Sequence, residues 1–365
     1  MNELTAKIWV HNLSPYLIRF SDSIGLSWYG LAYFGGFVAG GVLVFALSRR
    51  GKCTLRPEQV PGYLTAIVFG TLLGGRLGFA VLYSPALLWE TTSSPPYWSL
   101  LRVWEGGMAS HGGILGLVLG SVLYAHQHHL NWRNLVDLAT LGGSVGIFFG
   151  RIANFINGEL FGREASSTLS WAVKFPKEIL FWPKQDLPRL TQVVAQLNTI
   201  TIETWQEWLA AIPRLPRQPE YLAQGLEANF HTVLKQINTA VQEGNQSVID
   251  ALSPHLTPRY PSQLIEAGLE GLVVLLAVII FWRRPRQPGL VASFWLICYS
   301  IARILGEQFR QPDPQIGFQL FDLTRGQWLS MGTLFLGSVL FHVFKKTQAP
   351  LATPLATPLA TSLRP

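Results

Sequence analysis

Residues 150–163 read GRIANFINGELFGR and close a long apolar run with arginine, asparagine, glutamate and glycine. Ionisable groups at the edge of a hydrocarbon-crossing helix are costly to bury, so they usually face a polar cavity and mark a functional site. The apolar run 134–149 leads directly into this stretch, which places Arg151 where a spanning helix reaches an interface. Arg151 and Asn154 are three residues apart and share a helix face. A guanidinium beside an amide donor suits the binding of a phosphate.

Composition supports a membrane protein. The 365 residues are 49% hydrophobic and 13% charged, whereas charged residues make up about 25% of soluble domains. The formal charge of +7 lies mainly in short clusters between apolar runs, which indicates membrane topology and not a nucleic-acid groove. Cys53 and Cys298 give neither a disulfide framework nor metal-ligand spacing. We therefore expect no metal, no cofactor and no nucleic acid partner.

Apolar runs long enough to cross the hydrocarbon core predict an all-α integral membrane protein with about seven transmembrane helices. These runs are residues 27–47, 63–83, 108–124, 134–149, 261–282, 290–309 and 328–344. Dense basic clusters follow the first, fifth and seventh runs, and positive residues stay cytoplasmic. The amino terminus is therefore expected outside the membrane and the carboxyl terminus inside.

Five segments follow from this topology. Residues 160–259 are richer in polar residues and proline and contain amphipathic helical pieces, which predicts an extracytoplasmic insert. The end of the chain repeats Leu-Ala-Thr-Pro and is expected to be a disordered cytoplasmic tail. The predicted segments are an extracytoplasmic arm 1–26, helices one to four 27–159, the insert 160–259, helices five to seven 260–346, and the tail 347–365. Glycine pairs at residues 35–36, 74–75 and 142–143 predict close packing between helices.

Polar side chains converge on the predicted outer ends of five spans. The sixth span carries a stripe at spacings of four, four and three residues, which lies on one helix face. The converging residues are Tyr29, His111, Arg151, Asn154, Glu159, Gly162, Gln263, Glu266, Tyr299, Arg303, Glu307 and Arg310. Polar residues scattered independently would seldom fall at the same leaflet in five different spans. We therefore expect that they form one site.

Several of these residues also have a purely structural interpretation. Tyr29 follows a tryptophan and fits an interfacial anchor as well as a functional role. His111 precedes two glycines and fits a helix-packing position. Arg76, deep in the second span, fits either a structural partner of a carbonyl or carboxylate, or a role in shaping the cavity. Arg303 and Glu307 fit a self-neutralising ion pair, which leaves other arginines to attract an anionic ligand.

The quoted stretch closely resembles the signature of the bacterial prolipoprotein diacylglyceryl transferases. The resemblance extends to residues 28–30 (WYG), 111–113 (HGG), 259–266 (R-x-P-S-Q-x-x-E) and 299–310 (Y-x-x-x-R-x-x-x-E-x-x-R). It implies transfer of a diacylglyceryl group from phosphatidylglycerol to the lipobox cysteine of a preprolipoprotein, with formation of a thioether and release of glycerol phosphate. This is the first step of bacterial lipoprotein maturation. The insert is longer than is usual in the family.

The resemblance also implies roles for individual residues. It connects Tyr29, His111, Arg151, Asn154, Glu159, Gly162, Tyr299, Arg303, Glu307 and Arg310 with activity or lipid binding. We expect Arg151 and Arg303 to clamp the phosphate, Asn154 to add a donor, and Glu159 and Glu307 to hold the guanidinium planes. Because the thiol belongs to the substrate, neither cysteine of the chain is required.

Thiol activation has two candidate sources, since a free thiol has a pKa of about 8.5 and the thiolate is the nucleophile. His111 is the most plausible proton acceptor, and the arginines can lower the thiol pKa by their field alone. Two other classes of function compete with an enzyme. A transporter or channel for an anion would use the polar stripe as a path, but no inverted repeat is visible. A lipid-binding scaffold would need the arginines but not His111.

Overall fold

The computed structural model describes residues 8–19, 25–103, 106–197, 199–213, 220–284, 286–312 and 317–346. The predicted disordered tail and the first residues of the predicted arm lie outside this range. The described chain is mostly helical, as predicted, with short strands that the sequence did not predict. The longer helices are α1 (Trp28–Arg49), α2 (Val60–Leu82), α3 (Ser110–Gln127), α4 (Trp132–Ile156), α7 (Glu220–Gln242), α11 (Leu290–Gly306) and α12 (Arg325–Lys346). Shorter helices are α5 (Thr191–Val194), α6 (Ile202–Ala211), α8 (Gln246–Leu252), α9 (Ser262–Glu266) and α10 (Val274–Phe281).

Five helices among the described residues are long and apolar enough to cross a membrane. They are Trp28–Arg49, Pro57–Leu82, Trp132–Ile156, Ser262–Phe281 and Arg325–Lys346. The fourth of these joins α9 to α10 through a π-helical stretch, Ala267–Val273. The other two predicted spans correspond to shorter apolar helices, Gly112–Gln127 and Leu290–Gly306. The chain is thus a multi-pass membrane protein, and the count of seven spans stays a prediction.

The chain divides into two compact units, each built from several chain segments. The first unit contains Met1–Tyr33, Phe149–Leu269 and Ile304–Gln327. The second contains Phe34–Phe148, Glu270–Arg303 and Trp328–Pro365.

Two small sheets belong to the first unit. Strand β1 (Trp9–Val10) pairs in parallel with β4 (Val173–Lys174), which pairs antiparallel with β5 (Pro258–Arg259). Strands β2 (Tyr16–Arg19) and β3 (Gly25–Ser27) form an antiparallel pair. The three-stranded sheet therefore joins residues near the amino terminus to both ends of the predicted insert.

The predicted insert folds around an apolar core, to which Val10 of β1 also belongs. Trp205 of α6 is fully buried and meets Phe230 of α7 edge-on, with ring centroids 5.3 Å apart. Leu190, Ile237 and other apolar side chains of residues 179–256 complete this core. Burial of this apolar surface is the main source of the stability of the segment.

Glycine contacts hold the helices of the second unit together. On α2 and α3, a Cβ at Gly74 would lie 2.3 Å from the Gly112 carbonyl oxygen, and one at Gly116 would lie 1.9 Å from that of Gly70. On α1, a Cβ at Gly40 would lie 2.7 Å from the Cα of Gly142 on α4. Such contacts require glycine, so the predicted close packing at residues 74–75 and 142–143 is confirmed.

Candidate active site

The carboxyl end of α4 positions the first group of predicted site residues. Gly158 has a φ of +64°, the left-handed conformation with which many helices end. Its backbone N–H donates to the Phe155 carbonyl at 2.8 Å, and that of Glu159 donates to the Asn154 carbonyl at 3.1 Å. The glycine-containing turn thus brings Glu159 back beside Asn154 on the last turn of the helix.

Asn154 joins two other predicted residues through its side-chain amide. The amide nitrogen donates to the Tyr29 hydroxyl at 3.0 Å and to a Glu159 carboxylate oxygen at 2.7 Å. Asn154 is buried, and both hydrogens of its NH₂ group are used in these bonds. Gln263 supports the same turn by donating to the Glu159 backbone carbonyl at 2.7 Å. The first unit therefore brings Tyr29, Asn154 and Glu159 together.

Glu266 is the centre of the second polar group. Its carboxylate is fully buried, and one oxygen lies 3.0 Å from Arg151 Nη1 and 3.5 Å from Arg310 Nη1. Because an unpaired buried charge is strongly unfavourable, two guanidinium groups on one carboxylate account for its burial. The structure thus places Glu266 on Arg151, a contact that the sequence analysis did not predict, and the expected role of Glu159 and Glu307 in holding the guanidinium planes stays a prediction.

Gly162 is held between two backbone segments. Its N–H donates to the Tyr260 carbonyl at 3.0 Å, and the next residue donates to the Phe309 carbonyl at 2.8 Å. A Cβ at Gly162 would lie 2.3 Å from the Tyr260 oxygen and 2.6 Å from the Phe309 oxygen. The position therefore requires glycine for close backbone packing.

Arg163, in the same unit, holds the backbone of Glu307 and Arg310 by hydrogen bonds. Arg163 donates to the backbone carbonyls of Glu307 at 3.1 Å and Arg310 at 3.0 Å. The buried Glu307 carboxylate accepts a hydrogen bond from the Thr324 hydroxyl at 3.0 Å. Arg163 is the last residue of the quoted stretch, and its position there is the signal that could have identified it as a supporting residue.

Arg303 and Tyr299 belong to the second unit. Arg303 Nη1 lies 3.0 Å from a carboxylate oxygen of the fully buried Glu270. The Tyr299 ring stacks on Trp295 with centroids 5.0 Å apart. Glu270 was missed by the sequence analysis, although two glutamates, Glu266 and Glu270, interrupt an otherwise apolar run and such charges mark function. The π-helical stretch that contains Glu270 is a second signal, since π-bulges are frequent at functional sites.

His111 is the second residue of α3. Its side chain lies outside the described part of the structure. Its expected role as proton acceptor therefore stays a prediction.

A buried histidine and a lysine support the end of α4. His11 Nε2 lies 2.7 Å from the Phe155 carbonyl oxygen, to which it donates. The pKa of His11 is lowered from 6.5 to about 4, mainly by burial; the hydrogen bond to Phe155 opposes this shift and the nearby Lys177 adds to it. Burial also lowers the pKa of Lys177, while the Glu159 carboxylate opposes that shift. Neither residue was predicted, because neither belongs to a motif or to a periodic pattern in the sequence.

The arrangement suits anion binding. Guanidinium groups are typical donors to phosphate oxygens, and the carboxylates fix their orientation. The Asn154 amide, which was expected to add a donor, instead uses both of its hydrogens on Tyr29 and Glu159. Among the described residues, no three His, Cys, Asp or Glu side chains are grouped in a way that could hold a metal ion.

Comparison with known proteins gives consistent results. Residues 15–343 match the family model described as prolipoprotein diacylglyceryl transferase. A phosphatidylglycerol–prolipoprotein diacylglyceryl transferase of Bdellovibrio bacteriovorus is 40% identical over 337 residues, 92% of this chain and 94% of the relative. Relatives of the same name from Rhodospirillum rubrum and Paraburkholderia xenovorans are 31% and 30% identical, over 93% and 89% of this chain and 95% and 91% of theirs.

Proposed function

Because the chain belongs to the prolipoprotein diacylglyceryl transferase family, we propose that its polar site transfers a diacylglyceryl group from phosphatidylglycerol to the lipobox cysteine of preprolipoproteins. The cysteine sulfur attacks the carbon of the diacylglyceryl group that is ester-linked to the phosphate. A C–S thioether bond forms, the C–O bond to the phosphate breaks, and glycerol phosphate leaves with the electron pair. The thiol proton passes to a base or to solvent.

The observation that carries this proposal is the meeting of Arg151 and Arg310 on one oxygen of Glu266. Two guanidinium groups 3.0 and 3.5 Å from that oxygen concentrate positive charge near the end of α4. The leaving group is a phosphate monoester, so stabilisation of developing charge matters more than protonation. Arg151 and Arg310 would bind the phosphate, and Asn154, with its hydrogen bonds to Tyr29 and Glu159, would order the adjoining polar surface.

The contributions of Arg303, Tyr299 and His111 stay predictions. We infer that α3 and α11 complete a set of seven spans, with the amino terminus outside the inner membrane and the carboxyl terminus inside. The basic residues that end α1 and α12 support this orientation. Residues 160–259 would then be extracytoplasmic, on the side where lipid donor and signal peptide meet.

The test is mass spectrometry of a synthetic lipobox peptide incubated with the purified protein and phosphatidylglycerol. We expect a diacylglyceryl mass gain on the peptide cysteine, abolished in Arg151→Ala. Arg189→Ala is the matched control, because Arg189 is an exposed arginine outside the site, paired with Asp186. An Arg151→Ala protein with undiminished turnover would refute the site, and a folded, lipid-binding protein without any mass gain would favour the scaffold.

A pH series separates the two sources of thiol activation. If His111 is the base, His111→Ala should reduce turnover more at low pH than at high pH, because at high pH the thiol ionises unaided. An equal loss at every pH would remove His111 from that role.

A further inference from the structure

Arg76 of α2 uses all of its hydrogen-bond donors on backbone carbonyls. The residue is buried, and a guanidinium carries five N–H groups. Nε donates at 2.8 Å, Nη2 at 2.7 and 3.2 Å, and the longer of the two Nη1 bonds is 3.2 Å. The five acceptors are the carbonyls of Ser99, Leu100, Arg102, Gly106 and Gly107. One side chain thus satisfies five carbonyls of the segment that joins α2 to α3.

Two glycines let these carbonyls turn toward Arg76. Gly106 and Gly107 have φ values of +88° and +76°, which favour glycine. A Cβ at Gly107 would lie 2.8 Å from Arg76 Nη1 and 2.7 Å from Phe79 Cε1. The segment is tied to α2 once more where the Ala109 N–H donates to the Gly75 carbonyl at 2.9 Å.

The same segment exposes large apolar side chains. The exposed ones are Trp89, Tyr97, Trp98, Leu101, Val103 and Met108. They continue an exposed apolar surface from Leu82 and Tyr83, at the end of a helix suited to crossing the membrane. Exposed apolar surface of this extent marks contact with a partner or with lipid.

We propose that residues 97–103 and 106–109 form a lipid-embedded surface, whose apolar side chains contact the acyl chains around α2 while Arg76 satisfies its inward carbonyls. Irregular backbone is excluded from hydrocarbon unless its polar groups are satisfied within the protein. Arg76 meets this condition for five carbonyls, which an apolar side chain could not do. The partner is therefore the bilayer itself, and the continuity with the lipid-facing end of α2 favours it over an aqueous or protein partner.

The proposal is tested by measuring the depth of Leu101. Leu101→Cys, in a background with Cys53→Ser and Cys298→Ser, is labelled with an environment-sensitive fluorophore and reconstituted in phosphatidylcholine–phosphatidylglycerol vesicles. We expect blue-shifted emission and loss of fluorescence with lipids that are spin-labelled on the acyl chain, but little loss with aqueous iodide. Strong quenching by iodide and none by the spin-labelled lipid would overturn the proposal.

Two reference positions calibrate the readout. Leu73→Cys, exposed in the middle of α2, should respond to the acyl-chain quencher, and Phe181→Cys, exposed in the predicted insert, should respond to iodide.

The role of Arg76 is tested by adding Arg76→Lys to Leu101→Cys. Lysine keeps the charge but has three donors for five carbonyls, so Leu101 should become accessible to iodide. Unchanged quenching in a folded Arg76→Lys protein would refute the role of Arg76. If this variant does not fold, the depth of Leu101 in the otherwise unchanged protein still decides whether the surface lies in lipid. Transfer activity is not a readout, so the result is independent of the proposed reaction.

Discussion

Acidification should destabilise the first unit, because His11 becomes protonated. The imidazole is buried, donates to the Phe155 carbonyl at the end of α4, and has a pKa lowered from 6.5 to about 4. A lowered pKa in the folded state means that the unfolded state binds the proton more tightly. The stabilisation is therefore complete above pH 6.5 and is lost as the pH falls from 6.5 toward 4.

The magnitude follows from the size of the shift. A difference of about 2.5 pKa units corresponds to about 3.4 kcal/mol in the free energy of unfolding, reached well below pH 4. At pH 5 the expected loss is about 2 kcal/mol, or about a 30-fold increase in the opening equilibrium. Losses of this size exceed the effect of most surface substitutions.

Hydrogen exchange is the appropriate assay, because it reports local opening in a membrane protein. Protection of β1 and of residues 153–158, corrected for the intrinsic exchange rate, is followed between pH 7 and pH 4.5. His11→Gln removes the titrating ring, so the protection of these amides should depend much less on pH. His231→Gln, at an exposed position of α7, should leave the pH dependence of the protection unchanged. Equal pH dependence in the wild type and in His11→Gln would refute the reasoning.

Three further predictions concern the site. Gly162→Ala should abolish turnover and lower the melting temperature, because the added Cβ meets two carbonyl oxygens at 2.3 and 2.6 Å; the control Gly225→Ala, in an exposed part of α7, should stabilise by up to about 1 kcal/mol. Asn154→Asp should reduce kcat at least tenfold, since it replaces a two-bond donor by a charge that repels the neighbouring carboxylate, and kinetics equal to wild type would contradict this. Cys53→Ser with Cys298→Ser should retain transfer activity in the peptide assay, because the thiol comes from the substrate; lost activity in the folded double variant would indicate a covalent enzyme intermediate.

The helices of the site were accessible to sequence reasoning, but the partners of the arginines were not. The end of α4 could be predicted because Arg151 and Asn154 follow an apolar run and a glycine follows them. The pairing of Arg151 with Glu266 could not, because it joins residues more than a hundred positions apart and periodicity carries no information about such contacts.

The strands were missed for a different reason. The strands β1, β4 and β5 contain two residues each, which is too short for an alternating pattern to appear. Arg76 was recognised as a buried cation, and its partner in the structure is a set of carbonyls, one of the alternatives that the sequence left open. Sequence alone cannot choose a carbonyl partner, because every residue offers one.

The glycine contacts between α2 and α3 also restrict how lipid can move. The two backbones approach so closely at Gly70, Gly74 and Gly116 that even a methyl group would collide. An acyl chain is at least as wide as a methyl group, so this contact between α2 and α3 is closed to lateral diffusion of lipid from the bilayer. Any phospholipid that reaches the interior must therefore pass through a different gap, and substitutions that widen other helix pairs should alter donor access before those at this contact do.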